Sequence, residues 1–185
     1  NGWSEQEPED WYRAGVETIH EVMEKSCVAA DDVVGLGISG QMHGLVMLDE
    51  NGEVLRRSII WCDQRTAREC EEMTEKIGAK RLIDITCNPA LTGFTACKIL
   101  WVRKHEPEIY ARCRHILLPK DYLRYKLTGV FAESARWNSI LGCSNAADLN
   151  ALTQTGRLRE FIRINEALHE KSISRIADAF VESGA

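Results

Sequence analysis

Residues 35–44, with the sequence GLGISGQMHG, decide how the rest of this chain is interpreted. The apolar run at residues 33–38 predicts a buried strand, and a second apolar run at residues 45–48 follows the polar part of the segment. Between the two runs, Gly40 and Gly44 allow either a positive φ angle or the close approach of a ligand. The sequence therefore predicts a glycine-containing turn at the end of a core strand.

This turn also carries two long polar side chains, Gln41 and His43. In open α/β sheets, ligands bind at strand ends that carry polar groups beside glycines. A plainer interpretation is a tight turn between two strands whose histidine only faces solvent. The residue types by themselves favour that plainer interpretation.

The composition is that of an ordinary globular chain with one core. Of the 185 residues, 44% are hydrophobic and 28% are charged. The net charge of −5, without a dominant basic patch, argues against a nucleic-acid partner. No apolar run approaches the length that spans a bilayer, so we expect no membrane partner either.

The seven cysteines include no C-x-x-C pair, so their spacing does not favour a zinc site. Free thiols in a reducing cytoplasm are the better interpretation. We therefore expect a cytoplasmic chain without a metal site of its own.

Helix and strand signals follow one another along most of the chain. Ser4 and Glu7 can form a capping box before a helix spanning Pro8–Ser26. The DENG sequence at residues 49–52 predicts a hairpin whose return strand is residues 54–61. Further signals predict helices at residues 65–77 and 82–85, a helix after Thr95, a helix at residues 107–113, a strand at residues 115–118 and a helix at residues 119–128.

Four segments, taken in chain order, are similar to one protein family. They are GISGQMHG (residues 37–44), IIWCDQRTAREC (59–70), NPALTGFTACKILWVRKHEPEIY (88–110) and ILLPKDYLRYKLTG (116–129). Together they resemble the N-terminal domain of the FGGY carbohydrate kinases, and within that family the kinases that phosphorylate pentuloses. Residues 93–105 fit the first sequence signature of the family. The resemblance makes residues 1–133 the sugar-binding N-terminal domain.

The resemblance implies an α/β fold of the ribonuclease-H-like type, as in actin and hexokinase, with two such domains around a cleft. Here we expect the N-terminal one, incomplete because its first strands are lacking. The family uses ATP and Mg²⁺ to phosphorylate a sugar hydroxyl, in this branch converting xylulose to xylulose 5-phosphate. Such catalysis depends on positioning and charge neutralisation.

The resemblance also assigns candidate substrate-binding residues. Met42 and His43 match the ketose-contacting pair of the family, and this favours a substrate role for His43 over the plainer interpretation. An imidazole can bond a sugar hydroxyl, a thioether can cover the C–H face, and the amide of Gln41 can bond a hydroxyl or fix the turn. For Asp63 a helix cap and a sugar contact are equally open.

Four long side chains near these segments are expected to be structural. Trp61 and Trp101 are expected in the core. Arg65 and Lys98 are expected on the surface or in packing, because neither lies in a phosphate-binding loop.

The pattern departs from the family in two places. The opening Asp-x-Gly-Thr turn is absent, and the catalytic aspartate and adenosine pocket belong to a second domain. We therefore expect no catalytic residue here, no phosphorylation by this chain alone, and strand edges that favour self-association. Residues 134–185 match no family segment and are expected to form a divergent tail, partly helical, either fused or read in another frame. The alternative function is a non-catalytic module with a kinase-like fold that binds a sugar or a protein, or a domain that is purely structural.

Overall fold

The computed structural model describes residues 2–33, 35–129 and 131. Over these residues the chain forms six α-helices, four short strands and one 3-10 turn at Ala30–Asp32. The helices are α1 (Pro8–Ser26), α2 (Ala67–Ile77), α3 (Ala79–Thr86), α4 (Thr95–His105), α5 (Pro107–Arg112) and α6 (Pro119–Thr128). The strands are β1 (Glu5–Gln6), β2 (Val46–Leu48), β3 (Ser58–Ile59) and β4 (His115–Leu117). The expectations for residues 134–185 lie outside the described residues.

The strands form two antiparallel pairs, β1 with β3 and β2 with β4. A single bridge between Leu45 and Ile59 connects the pairs, which gives the order β1-β3-β2-β4. Each residue of β2 is fully buried, so the apolar run at residues 45–48 is confirmed as a core strand.

The side chains of this run alternate between two cores, because successive residues of a strand face opposite sides. Leu45 and Met47 pack with Trp101 of α4. Val46 and Leu48 pack with Tyr122 of α6. Helices α4 and α6 therefore cover opposite faces of the strand.

The predicted buried strand at residues 33–38 is wrong for the part that the structure describes. Residues 35–38 have no strand assignment, and 62% of Leu36 is exposed. The pairings of the described strands do not include this segment. A hydrophobic run becomes a buried strand only where neighbouring backbone completes its hydrogen bonds.

The turn before β2 is confirmed, but the positive φ predicted as one use of its glycines is wrong. Positive φ falls on His43, at 61°, and not on Gly40 or Gly44. Gly44 is needed for a different reason: a Cβ there would lie 2.5 Å from Cγ of Pro119. The close approach is therefore made by the first residue of α6.

Other boundaries follow the sequence closely. The predicted first helix is confirmed as α1, but no side chain caps it, so the capping box is wrong. The hairpin is confirmed by a hydrogen bond of 3.0 Å from Asp49 N–H to the Glu53 carbonyl. Its return strand is shorter than predicted, limited to β3 and one bridge from Val54 to Leu48. None of the helices in the described ranges is long and apolar enough to span a membrane.

We expect Gly44→Ala to lower the free energy of unfolding by about 1–3 kcal/mol, because the new methyl group would overlap the rigid Pro119 ring. Urea denaturation of the 185-residue chain measures this. Gly37→Ala is the matched control, since a Cβ at Gly37 meets nothing within 4 Å. Equal stability of the two variants would contradict the packing argument.

Candidate functional site

The turn that precedes β2 presents the three side chains singled out from the sequence. Gln41 and His43 are half-buried, and 42% of Met42 is exposed. The imidazole of His43 lies against the ring of Phe94, with 4.8 Å between centroids. One wall of the turn is therefore aromatic, and its outer face carries a thioether.

The backbone of the turn is hydrogen-bonded to residues at the start of α4. The His43 carbonyl accepts hydrogen bonds from Lys98 Nζ at 2.6 Å and from Thr95 Oγ1 at 3.1 Å. Lys98 Nζ also donates to the Gly93 carbonyl at 2.7 Å. Residues three apart on a helix lie on one face, so Thr95 and Lys98 can both donate hydrogen bonds to the same carbonyl. These contacts hold His43 in its left-handed backbone conformation.

Lys98 is fully buried, which is unusual for an ammonium group. Burial lowers its pKa to about 8, and the nearby charge of Asp63 acts in the opposite direction. A lysine amine can donate both hydrogen bonds in either protonation state. The bonds to the His43 and Gly93 carbonyls therefore do not require that Lys98 be charged.

Gln41 reaches in the other direction, toward the N-terminal strand. Its Nε2 donates to Oε1 of Gln6 at 2.7 Å, and the same oxygen accepts from the indole of Trp11 at 3.1 Å. In the part of the chain that the structure describes, Oε1 of Gln41 is buried and has no hydrogen-bond partner. A buried amide oxygen without a donor is costly, so this atom keeps an unused acceptor position.

Asp63 lies in a buried network of hydrogen bonds. It is fully buried, and its carboxylate accepts from Ser4 N–H at 2.5 Å, from Arg65 N–H at 2.9 Å and from the Arg65 guanidinium at 2.7–3.0 Å. Burial raises the pKa of Asp63, but the hydrogen bonds from Arg65 and Ser4 outweigh it, so the pKa lies below the ordinary value. The helix-cap interpretation is wrong, because α2 begins at Ala67 with Thr66 at its cap position.

The long side chains that were expected to be structural differ in their burial. Trp101 is confirmed as core, at 7% exposed, whereas Trp61 is 58% exposed and its assignment to the core was wrong. Arg65 is a packing residue that lies over the rings of Trp3 and Trp101 at 4.2 and 4.9 Å. Sequence reasoning missed Lys98 and Thr95 as supports of the turn. Their spacing at the start of a predicted helix was the available signal.

Three cavities of the described part of the chain are lined by residues outside the turn. One of about 600 Å³ lies between α1, the hairpin and α6, another of about 220 Å³ between α2 and α4, and a third of about 350 Å³ beside Cys70. Gln41, Met42 and His43 line none of these three.

Comparison with known proteins relates the chain to a protein family. The family described as FGGY family of carbohydrate kinases, N-terminal domain, matches residues 1–153. The xylulose kinase of Bacillus subtilis is 51% identical over 129 residues, which cover 70% of this chain and 26% of the relative. The xylulose kinase of Escherichia coli is 45% identical over 130 residues, covering 70% and 26%. The chain thus spans about a quarter of the length of these relatives.

Solved structures agree with the sequence comparison. A xyloylose kinase from Brucella ovis aligns with a TM-score of 0.70 and 39% identity, over 76% of this chain and 29% of that one. The xylulose kinase from Rhodospirillum rubrum aligns with a TM-score of 0.68 and 26% identity, over 83% and 33%. These neighbours confirm the predicted fold class, a ribonuclease-H-like α/β domain of the actin and hexokinase type. The chain belongs to the FGGY family of carbohydrate kinases, of which it holds part of the N-terminal domain.

Proposed function

We propose that this chain forms the sugar-binding side of an ATP-dependent pentulose kinase that converts xylulose to xylulose 5-phosphate. One observation carries the proposal: the backbone of His43 is fixed by a buried lysine, while Met42 is 42% exposed beside the half-buried imidazole of His43. A ligand-binding turn benefits from such rigidity, because less conformational entropy is lost on binding. The relatives named xylulose kinase favour a pentulose as the ligand.

In the proposed complex, each side chain of the turn has a separate task. The imidazole of His43 bonds a sugar hydroxyl, and the amide of Gln41 bonds a second hydroxyl or fixes the turn. Met42 covers the C–H face of the sugar. Asp63 stays a predicted sugar contact, but a direct contact requires that a hydroxyl replace Ser4 N–H or Arg65 at its carboxylate.

ATP and Mg²⁺ are the cofactors that the family implies. Within residues 2–33, 35–129 and 131, no group of three His, Cys, Asp or Glu side chains is arranged to hold a metal ion. We therefore derive no step of phosphoryl transfer from the described residues. We propose that the chain binds the sugar without phosphorylating it on its own, and that it works in the cytoplasm.

We expect the 185-residue chain to bind xylulose, and His43→Ala to weaken binding at least about tenfold, because a hydroxyl loses its partner. Isothermal titration calorimetry measures both affinities. His20→Ala is the matched control, since His20 is exposed on α1. Unchanged affinity in His43→Ala, or no binding by the parent chain at millimolar xylulose, would refute the proposed site.

We expect the stability of the chain to increase with pH between about 8 and 10.5, measured relative to Lys98→Met. In this interval native Lys98 loses its proton first, while the unfolded chain keeps it, so the unfolded state binds more protons. Between pH 7.5 and 9.5 the gain is about 2 kcal/mol at most.

Urea denaturation at both pH values measures the difference, and subtracting the Lys98→Met data removes the contribution of other titrating groups. Lys98→Met should also be less stable by about 1–3 kcal/mol at pH 7.5, because the His43 carbonyl keeps only its Thr95 donor and the Gly93 carbonyl loses its lysine donor. Parallel pH curves for the two chains would show that the burial of Lys98 has no effect on its titration.

We also propose that residues 35–38 mediate self-association, because this apolar segment is exposed and its described residues have no strand partner. Light scattering should then give a mass above 20.9 kDa that falls with dilution. Leu36→Lys should shift the chain toward monomer, whereas Ile83→Lys, which alters an exposed apolar residue on α3, should not. A concentration-independent monomer would argue against this role of the segment.

A further inference from the structure

Two buried thiols face each other between α2 and α4. The sulfurs of Cys70 and Cys97 lie 3.1 Å apart, and the residues are 27 positions apart in the chain. Cys70 is 8% exposed and Cys97 is 1% exposed. The substrate-binding role proposed above uses neither of them. Two sulfurs this close need to move only about 1 Å to reach the length of a disulfide bond.

One of the two cysteines borders a cavity that is open to solvent. Cys70 lines the open cavity of about 350 Å³ together with Glu71, Thr74, Glu75 and Ala90. The two carboxylates disfavour anionic reagents at the mouth of this cavity, so a small neutral oxidant is the reagent that fits. Cys97 lies behind Cys70 and does not line that cavity.

The thiols are also chemically distinct. The contact between the two sulfurs lowers the pKa of Cys70, because the Cys97 thiol can stabilise a Cys70 thiolate. The same contact, together with burial, raises the pKa of Cys97. Cys70 therefore has the character of an attacking thiol, and Cys97 that of a resolving thiol.

We propose that Cys70 and Cys97 form an oxidation site at which hydrogen peroxide converts the dithiol to an intramolecular disulfide. The Cys70 thiolate attacks one peroxide oxygen, the O–O bond breaks, and the departing hydroxide takes up a proton to leave as water. Cys97 sulfur then attacks the resulting sulfenic acid: the S–S bond forms, the S–O bond breaks, and the Cys97 proton leaves with the second water. Two thiols and one peroxide give one disulfide and two waters.

The bond would join the two helices next to the candidate sugar turn. Cys97 immediately precedes Lys98 in the first helical turn of α4. The Lys98 amine in that helical turn donates a hydrogen bond to the His43 carbonyl. The inference concerns thiol chemistry only, so it does not depend on whether the chain binds a sugar.

The test treats the reduced full-length chain, at low micromolar concentration, with a few-fold excess of hydrogen peroxide. Remaining thiols are then blocked with N-ethylmaleimide, and non-reduced tryptic peptides are analysed by mass spectrometry. We expect residues 69–76 linked to residues 82–98, with dithiothreitol reversing the link. The second peptide also contains Cys87, so variants must identify the partner.

Cys87→Ser is the matched control, because Cys87 is exposed, and it should leave the link unchanged. Cys97→Ser should abolish the link and leave a sulfenic acid on Cys70 that dimedone traps. Circular dichroism of Cys97→Ser establishes that the helices persist. If Cys70 and Cys97 stay labelled by N-ethylmaleimide while exposed Cys27 is oxidised, or if the link persists in Cys97→Ser, the proposal is overturned.

Discussion

The hydrogen bond from the buried Lys98 ammonium to the His43 carbonyl joins the two parts of the molecule on which the candidate site depends. On one side is a turn with a non-glycine residue at positive φ, and on the other is the first turn of α4. A left-handed conformation is unfavourable for histidine unless its surroundings fix it. Two donors on one carbonyl supply that restraint, and the turn enters β2 in a single conformation.

Burying a lysine is costly, and the structure offsets the cost locally. The amine donates to two carbonyls, and the negative charge of Asp63 raises its pKa against the effect of burial. Asp63 is in turn fixed by Arg65, whose guanidinium also reaches Glu5 in β1. A continuous set of charges therefore runs from the N-terminal strand to the turn, and this explains why Asp63 is buried although the sequence could not place it.

Local signals in the sequence were sufficient to predict the helices and β2, the strand that is buried on both faces. Proline and glycine mark the ends of α6, and an unbroken apolar run marks β2. Residues 33–38 carry an equally strong apolar signal, yet residues 35–38 are exposed coil. A strand depends on backbone partners that are distant in sequence, and no local pattern contains that information.

Side-chain roles were harder to predict than elements, because the roles depend on tertiary neighbours. Lysine is usually exposed, so its type gives no hint of a buried Lys98, and tryptophan is usually buried, so its type misplaced Trp61. Met42 and His43 were identified by their resemblance to a family motif, because the residue types alone favoured an ordinary turn. The structure adds a physical reason to examine them: a fixed backbone and an exposed Met42 side chain coincide at one turn.

This division of roles separates recognition from folding at the candidate site. The turn is held by hydrogen bonds from the Thr95 hydroxyl and the Lys98 amine to the backbone carbonyl of His43. The side chain of His43 takes no part in these bonds. Met42 leaves 42% of its surface in water, where an apolar side chain gains nothing for the fold. On the proposed function, the exposed thioether of Met42 contacts the C–H face of the sugar.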